Sequence, residues 1–176
     1  MATVESPDPI TLRRALGSFA TGIAVVTGRR PDGEPFGLTA SSFQSLSLDP
    51  PLVLYNAQKG AASLAFLAER PAFCVNILRR DQAWMARQFA EHRPDRFAGV
   101  AWEAGWSDCP VVEGALATFE CRLWANYDGG DHVIVIGEVM RQRFVEVGDP
   151  LLYFRGSFMD GSGRDAPAQR QCTGGS

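Results

Sequence analysis

Residues 116–144 read LATFECRLWANYDGGDHVIVIGEVMRQRF, and this stretch decides the fold class. It holds the two longest runs of β-forming residues in the chain, Leu116–Asn126 and His132–Phe144. The sequence between them, Tyr-Asp-Gly-Gly-Asp, is rich in turn-forming residues, and its length of about four to five residues suits a hairpin. The stretch therefore predicts a long antiparallel β-hairpin.

Shorter strand patterns lie on both sides of this hairpin, with helical patterns between them. Strands are predicted at Ile23–Thr27, from about Phe36 to Leu48, and at Leu52–Tyr55, Ala72–Leu78, Val100–Glu103 and Leu151–Phe154. Helices are predicted from Pro9 to Gly22, over Ala61–Ala68, and from a cap at Asp81 through Phe89. Because strands and helices do not alternate, the pattern disfavours a doubly wound nucleotide fold. It favours a mainly β, α+β domain with peripheral helices around a barrel or a strongly curled sheet.

The first helix is the best defined of the three. Asp8 and Pro9 form an N-cap followed by a first-turn proline. Its apolar residues recur at helical spacing, at Leu12, Ala15, Leu16 and Phe19. Arg13 and Arg14 lie on the far side, and Gly22 is the expected stop.

Composition excludes several classes of protein. The 176 residues are 45% hydrophobic and 21% charged with a net charge of −3, which is typical of a globular chain. No Lys/Arg run is dense enough for a nucleic-acid or membrane surface, and apolar runs such as Val133–Gly137 are far shorter than the ~18 residues of a spanning helix. We therefore expect a cytoplasmic protein with a flexible arm at 1–8, one domain at 9–159 and a disordered tail at 160–176.

Cysteine and histidine spacing gives no metal motif. Cys74, Cys109, Cys121 and Cys172 contain no C-x-x-C pair, and His92 and His132 are the only histidines. Cys74 and Cys121 fit small buried hydrophobes inside strands. We therefore predict no protein-bound metal. The two standard phosphate loops, G-x-G-x-x-G after a strand and G-x-x-x-x-G-K-[ST], are also missing from the sequence.

The segment GLTASSFQSLS, residues 37–47, is the most informative polar stretch. Five hydroxyls and a glutamine fall in nine residues of a segment that otherwise resembles a core strand. Buried hydroxyls need hydrogen-bond partners, so the row indicates either an internal ladder or a polar ligand such as a phosphate. The alternative is an exposed edge strand whose serines face solvent.

Three further side chains are candidates for ligand binding. Asn56 and Lys59 follow the strand Leu52–Tyr55, where an amide and an ammonium could close over a phosphate, or could form a solvated turn. His132 begins the second hairpin strand, where it could face a cleft or be structural. The tryptophans fit core or dimer packing better than ligand stacking.

These motifs together resemble the flavin reductase family that supplies reduced flavin to two-component monooxygenases. The match is carried, in order, by FATGIAVVT (19–27), GLTASSF (37–43), SLDPPLV (47–53), GDH (130–132) with GEV (137–139), and PLLYFRG (150–156). Smaller matches are CVN (74–76) and DRFAG (95–99). The matches span about residues 10–158, nearly the whole chain between the two tails.

The resemblance implies a Greek-key split β-barrel that binds flavin and works as a homodimer. It also implies reduction of free FAD or FMN by NADH or NADPH, with delivery of the reduced flavin to a separate flavin-dependent monooxygenase. By position, the residues implied to line the isoalloxazine and phosphate are Thr39, Ala40, Ser41, Ser42, Ser45 and Ser47, with Asn56 and Lys59 near the ribityl phosphate. His132 and the segment Tyr153, Phe154, Arg155 and Gly156 are implied to hold the nicotinamide. Phe158 stands where many relatives carry a tyrosine, so a contact through that hydroxyl is not expected.

Two alternatives stay open at this point. One is a related split-barrel oxidase that keeps FMN tightly bound. The other is a non-catalytic flavin-binding carrier or redox sensor. Hydride transfer between nicotinamide and flavin is cofactor chemistry, so the lack of an acid–base pair in the sequence agrees with the reductase interpretation.

Overall fold

The computed structural model describes residues 6–159, and within them the chain is mainly β with few helices. The strands are β1 (Thr21–Gly22), β2 (Ala24–Arg29), β3 (Pro35–Ala40), β4 (Gln44–Leu48), β5 (Pro51–Gln58), β6 (Ala72–Ile77), β7 (Trp102–Ala104), β8 (Pro110–Val112), β9 (Ala117–Gly129), β10 (His132–Phe144), β11 (Leu152–Phe154) and β12 (Ser157–Met159). The α-helices are α1 (Pro9–Leu16), α2 (Ala62–Glu69) and α3 (Ala83–Ala90). The predictions for 1–5 and for the tail at 160–176 lie outside the described residues.

The main sheet has seven antiparallel strands in the order β3-β2-β6-β9-β10-β5-β4. Its two edge strands, β3 and β4, are consecutive in sequence and are joined by only three residues, 41–43. In a flat sheet these edges would be about 29 Å apart, since neighbouring strands are about 4.8 Å apart. Four Cα steps span at most about 15 Å. The sheet is therefore strongly curled, and its edges approach each other at residues 41–43.

The concave face of the curled sheet holds the main core. Alternation in β5 shows how it is built, because Val53, Tyr55 and Ala57 are buried while Asn56 and Gln58 are exposed. Alternation of buried and exposed side chains with a period of two residues is typical of a strand with one buried face. Every strand of the sheet except β4 adds a buried residue to this one cluster, and Leu67 of α2 covers one part of it.

Gly137 in β10 allows the backbone of that strand to pass close to the Phe73 ring in the core. A Cβ on Gly137 would overlap the Phe73 ring, so a larger residue at this position would force the ring to move. The register between β9 and β10 also shifts next to Gly137. Gly137 therefore lets β10 follow the curvature of the sheet over the Phe73 ring.

The convex face is covered by α3, by the β7–β8 hairpin and by the small sheet β1-β11-β12. Beneath the β7–β8 hairpin lies a group that we call the sealed cluster. It consists of Thr27, Cys74, Asn76, Cys109 and Glu120, and each of these side chains is fully or almost fully buried. Asn76 is its centre.

Asn76 makes hydrogen bonds in three directions. Its Nδ2 donates to the Val25 carbonyl (3.0 Å) and to Thr27 Oγ1 (3.1 Å), and its Oδ1 accepts from the Val112 N–H (2.8 Å). Glu120 accepts from the backbone N–H of Trp106. The cluster thus ties β8 and the preceding turn to the outside of the main sheet.

Two predicted elements are wrong in their limits near the N-terminus. The first helix ends at Leu16 with Gly17 as its C-cap, not at Gly22, because Thr21 and Gly22 pair with Tyr153 and Leu152. The segment predicted as one strand from Phe36 to Leu48 is two strands, β3 and β4, which are broken at residues 41–43. In both cases pairing with a distant strand sets the boundary.

Later elements differ in smaller ways. Asp81 does not cap α3, because it lies in a short 3-10 turn and pairs with Arg79 (3.4 Å). The 91–114 region contains β8 in addition to the one predicted strand. The long hairpin has a two-residue turn, Gly130-Asp131, because residues 127–129 continue pairing with β10. Within residues 6–159 no helix has the length and apolar character needed to span a bilayer.

Candidate functional site

Six of the residues that the sequence singled out converge on one cleft of about 420 Å³, a size within the range of small-molecule sites. It lies on the convex face where the end of β3 meets β5 and β10. Its lining residues are Thr39, Ala40, Ser41, Ser42, Asn56, Gly129, His132 and Ile134. Six of these eight were predicted as site residues, and they come from three separate parts of the chain.

Strand alternation directs these side chains away from the core. Asn56 lies between buried Tyr55 and Ala57, so its side chain points outward. Ile134 pairs directly with Asn56 across the β5–β10 ladder, so both side chains lie on the same face. His132 is two residues before Ile134 and shares that face. The pairing of β5 with β10 therefore forms the floor of the cleft.

Ser42 joins the corner after β3 to β5. Its Oγ accepts from the Asn56 N–H (2.9 Å) and donates to the Asn56 carbonyl (3.4 Å). The β4–β5 ladder reaches only the pair Gln44–Leu54, so the Asn56 backbone would otherwise lack a partner on this side. The Ser42 hydroxyl thus takes the place of one missing rung of the ladder.

The other hydroxyls at the corner differ in their availability. Thr39 Oγ1 donates to the Ala86 carbonyl of α3 (2.7 Å) and fixes β3 to that helix. Ala40 is buried. Ser41 is exposed, and it is the only lining hydroxyl that makes no side-chain hydrogen bond within residues 6–159. Of the three hydroxyls, Ser41 is the one free to meet a ligand.

The hairpin tip beside the cleft is held by its own polar contacts. Asp128 accepts from the Gly130 N–H (3.0 Å) and pairs with the Lys59 ammonium. These contacts, the Lys59 hydrogen bond first, lower the pKa of Asp128. The Lys59 N–H donates to the Asp131 carbonyl (3.0 Å). Gly130 has a φ of 84°, a conformation that glycine adopts without strain.

His132 is oriented by its neighbour. Its Nδ1 lies 2.7 Å from Asp131 Oδ1, and this hydrogen bond, followed by the imidazole charge, lowers the pKa of Asp131. A carboxylate can only accept, so Nδ1 carries the proton and Nε2 is the ring nitrogen left for the cleft. This arrangement presents one defined polar atom to a ligand.

The remaining predicted site residues do not line the cleft. Ser45 and Ser47 lie on the edge strand β4, and Lys59 is engaged with Asp128. The segment Tyr153, Phe154, Arg155 and Gly156 forms the β11–β12 turn in the small sheet. Arg155 has a φ of 48°, its N–H donates to the Gly17 carbonyl (2.9 Å), and its guanidinium stacks on Phe154.

Sequence reasoning missed two lining residues, Gly129 and Ile134. The signal for Ile134 was present, because alternation from His132 places it on the same face of β10. Gly129 pairs directly with His132 across the two-residue turn. Whether Gly129 lies in a strand or in the turn depends on where the two strands end. Turn composition predicts those ends only to within a few residues.

Comparison with known proteins agrees with this site and fold. The family model described as flavin reductase like domain matches residues 16–162. The FMN reductase (NADH) SmoA of Agrobacterium fabrum is 41% identical over 148 residues, which cover 84% of this chain and 83% of that protein. HsaB of Rhodococcus jostii, the reductase subunit of a flavin-dependent monooxygenase, is 38% identical over 154 residues, which cover 88% of this chain and 78% of that protein.

A solved structure gives the same result. The NADH:FAD oxidoreductase SgcE6 of Streptomyces globisporus, in complex with NAD and FAD fragments, superposes with a TM-score of 0.82 at 41% identity. The match covers 89% of this chain and 96% of that chain. The resemblance inferred from the motifs is confirmed. The chain belongs to the family of proteins with a flavin reductase like domain.

Proposed function

We propose that this protein uses NADH or NADPH to reduce free FAD or FMN and delivers the reduced flavin to a separate flavin-dependent monooxygenase. The observation that carries the proposal is the cleft, where Ser41, Asn56 and His132 meet in a chain of this family. The relatives named as an NADH-dependent FMN reductase and as a monooxygenase reductase subunit support both halves of the reaction.

The cleft residues fit a flavin. Ser41 and Asn56 supply an exposed hydroxyl and an amide, which suit the polar edge of the ring system or its phosphate. Ile134 supplies an apolar surface beside them. Ser42 and Thr39 act indirectly, because their hydroxyls hold β5 and α3 and so keep the rim of the cleft in place. We also assign Ser45, Ser47 and Lys59 to the phosphate end of the flavin. These residues lie outside the cleft, so they would contact the part of the flavin that extends beyond it.

The chain contributes position rather than acid–base chemistry. Hydride transfer from nicotinamide to flavin is chemistry that the two bound molecules supply, and holding two rings in contact can lower a barrier by about 7–11 kcal/mol. His132 Nε2 is assigned to the nicotinamide, with Asp131 holding the imidazole. The 153–156 turn is assigned to the rest of the dinucleotide, where Arg155 offers a cation.

We also propose an architecture, an oligomeric state and a cellular compartment for this protein. We assign residues 9–159 to one Greek-key split barrel, since the edges of the curled sheet meet at residues 41–43. We also assign the protein to homodimers and to the cytoplasm. Free thiols at Cys74, Cys109 and Cys121 agree with a reducing compartment.

Absorbance measurements on the purified protein test the function. We expect a colourless protein that oxidises NADH or NADPH only after FMN or FAD is added, and under air substoichiometric flavin should sustain turnover. A yellow protein that oxidises NADH without added flavin would indicate an oxidase with bound FMN. A yellow protein with no NADH turnover would indicate a carrier, and either result contradicts the proposal.

A further inference from the structure

Arg87 on α3 carries a partly buried guanidinium group that lacks an acidic partner among residues 6–159. Its Nη1 is buried and makes no hydrogen bond within those residues. Glu91, one helical turn further along the chain, pairs instead with Arg93 (4.0 Å). Burying part of a charged group without a partner costs free energy, so we expect Arg87 to bind a group from outside these residues.

A second buried polar atom without a partner lies on the small sheet that faces Arg87. Thr21 Oγ1 in β1 is buried and makes no hydrogen bond within the described part of the chain. Thr21 pairs in register with Tyr153, and Tyr153 pairs with Phe158, so these three side chains form one row on one face of the sheet. The Arg87 guanidinium lies over the Phe158 ring, 5.2 Å from its centroid. Both unpartnered atoms therefore border the space between α3 and the small sheet.

Arg87 lies between the cleft and the β11–β12 turn. The residue before it, Ala86, accepts a hydrogen bond from Thr39, which lines the cleft (2.7 Å). On the other side, the Phe158 ring under Arg87 contacts the Tyr153 ring, with 5.4 Å between the centroids. The proposed function assigns the nicotinamide to the cleft and the rest of the dinucleotide to that turn. The diphosphate joins these two parts of the dinucleotide, so it has to pass Arg87.

We propose that Arg87 and Thr21 bind the diphosphate of NADH or NADPH, an inference that rests on the proposed function. A guanidinium can donate two parallel hydrogen bonds to a phosphate, and such charge-assisted contacts are about twice as strong as contacts between neutral groups. The Thr21 hydroxyl supplies a neutral donor for a second phosphate oxygen. Binding at the diphosphate leaves His132 to orient the nicotinamide, so the two subsites hold different parts of one ligand.

Calorimetric titration of NAD+ into the full-length protein saturated with oxidised FMN tests the subsite, because these two molecules do not react and only binding is measured. Arg87→Met keeps an apolar stem on the Phe158 ring and removes the charge. The Kd for NAD+ should therefore rise about ten- to hundredfold, as expected for lost hydrogen bonds to a charged group. Arg141→Met is the matched control, since Arg141 is exposed on β10, about 30 Å along the strand from His132, and its Kd should equal that of the parent. An unchanged Kd in Arg87→Met would overturn the proposal.

Thr21→Val tests the second donor, and a structural role would give the opposite pair of results. The variant keeps the shape of the side chain and removes a buried hydroxyl that has no partner within residues 6–159. Its Tm should therefore stay the same or rise, while the Kd for NAD+ rises about three- to tenfold. Thr27→Val is the control, because the buried Thr27 hydroxyl donates to the Pro110 carbonyl, so this variant should lower the Tm and leave the Kd unchanged. A lowered Tm with an unchanged Kd in Thr21→Val would overturn the assignment of Thr21.

The flavin also carries phosphate, and the choice of ligand separates the two sources. Arg87→Met should bind FMN with the affinity of the parent, and it should also bind riboflavin, which has no phosphate, as the parent does. A loss of affinity for FMN with unchanged affinity for riboflavin would assign Arg87 to the flavin phosphate. That result would overturn the assignment to the nicotinamide dinucleotide.

Steady-state kinetics separate this inference from the proposed function. Arg87→Met should raise the KM for NADH and change kcat little, because the diphosphate is bound equally in the ground state and in the transition state. A lowered kcat with an unchanged KM would overturn the assignment. A parent that reduces FMN, with unchanged NAD+ affinity in both variants, keeps the proposed function and loses the subsite. A parent whose NAD+ affinity depends on Arg87 but which reduces no flavin contradicts the proposed function and leaves the subsite standing.

Discussion

Two groups of polar side chains lie on the convex face of the same sheet, and they differ in what covers them. The cleft at Ser41, Asn56 and His132 is open, and its side chains keep free polar atoms. The sealed cluster around Asn76 is closed by the β7–β8 hairpin, and the Asn76 amide is fully hydrogen-bonded. The same residue type therefore has opposite expected roles at positions 56 and 76. For these two asparagines, free hydrogen-bonding capacity rather than polarity distinguishes a binding role from a structural one.

The largest expected effect concerns thiol reactivity inside the sealed cluster. Burial, with the nearby Glu120 charge, raises the pKa of Cys109 from 9.0 to about 12, and burial also raises the pKa of Cys121 to about 12. At pH 8 the thiolate fraction of Cys109 should therefore be about a thousandfold lower in the native protein than in the unfolded chain. Alkylation by iodoacetamide, followed by mass spectrometry, should be slow in the native protein and fast in urea. Labelling of native Cys109 at the rate of a free thiol would show that the cluster is open.

The second prediction compares the two asparagines directly. Asn76→Ala should lower the free energy of unfolding by about 3–4 kcal/mol, because it leaves buried donors and acceptors unpaired. Flavin affinity of the folded fraction should not change. Asn56→Ala should weaken flavin binding and leave the free energy of unfolding nearly unchanged. Stability is kept because the Asn56 hydrogen bonds to Ser42 are made by backbone atoms. Urea denaturation and flavin titration of both variants measure these two quantities. An equal loss of stability in Asn56→Ala and Asn76→Ala would contradict the comparison.

The third prediction concerns His132. His132→Ala should raise the KM for NADH about tenfold, which is the value of a hydrogen bond of about 1.4 kcal/mol, and should raise the KM for flavin less. Its free energy of unfolding should stay within about 0.5 kcal/mol of the parent, as expected for a half-exposed side chain. His92→Ala is the matched control and should leave both KM values unchanged. Intact nucleotide kinetics with a lowered Tm would instead make His132 structural.

The smallest effects separate two adjacent serines at the rim of the cleft. Ser42→Ala should lower the free energy of unfolding by about 1 kcal/mol, because the Asn56 backbone loses its partner. Ser41→Ala should leave stability unchanged and weaken flavin binding about three- to tenfold. Apo-protein melting curves and FMN and FAD titrations measure both quantities. If Ser41→Ala leaves the affinity for both flavins unchanged, Ser41 is not a ligand.

Local sequence was enough to predict most strands and several of the site residues. Alternation and turn composition located the β9–β10 hairpin and the strands at 52–55 and 72–78. The GLTASSF and GDH motifs contain five of the eight residues that line the cleft, and Asn56 after the strand at 52–55 is the sixth that the sequence predicted. These features depend on neighbours in the chain, whose side-chain directions follow from strand periodicity. Boundaries were less certain, because pairing with distant strands sets where β1 begins and where β3 ends.

Only the tertiary structure decided which polar groups remain available. The sequence shows Thr39, Ser41 and Ser42 as equivalent hydroxyls, but α3 engages Thr39 and the β5 backbone engages Ser42. It shows α1 as an amphipathic helix, but none of the α1 side chains is buried within residues 6–159. Periodicity gives the direction of a side chain relative to its own strand or helix. Hydrogen bonding and burial depend on which distant segment packs there, and the curvature of the sheet sets that.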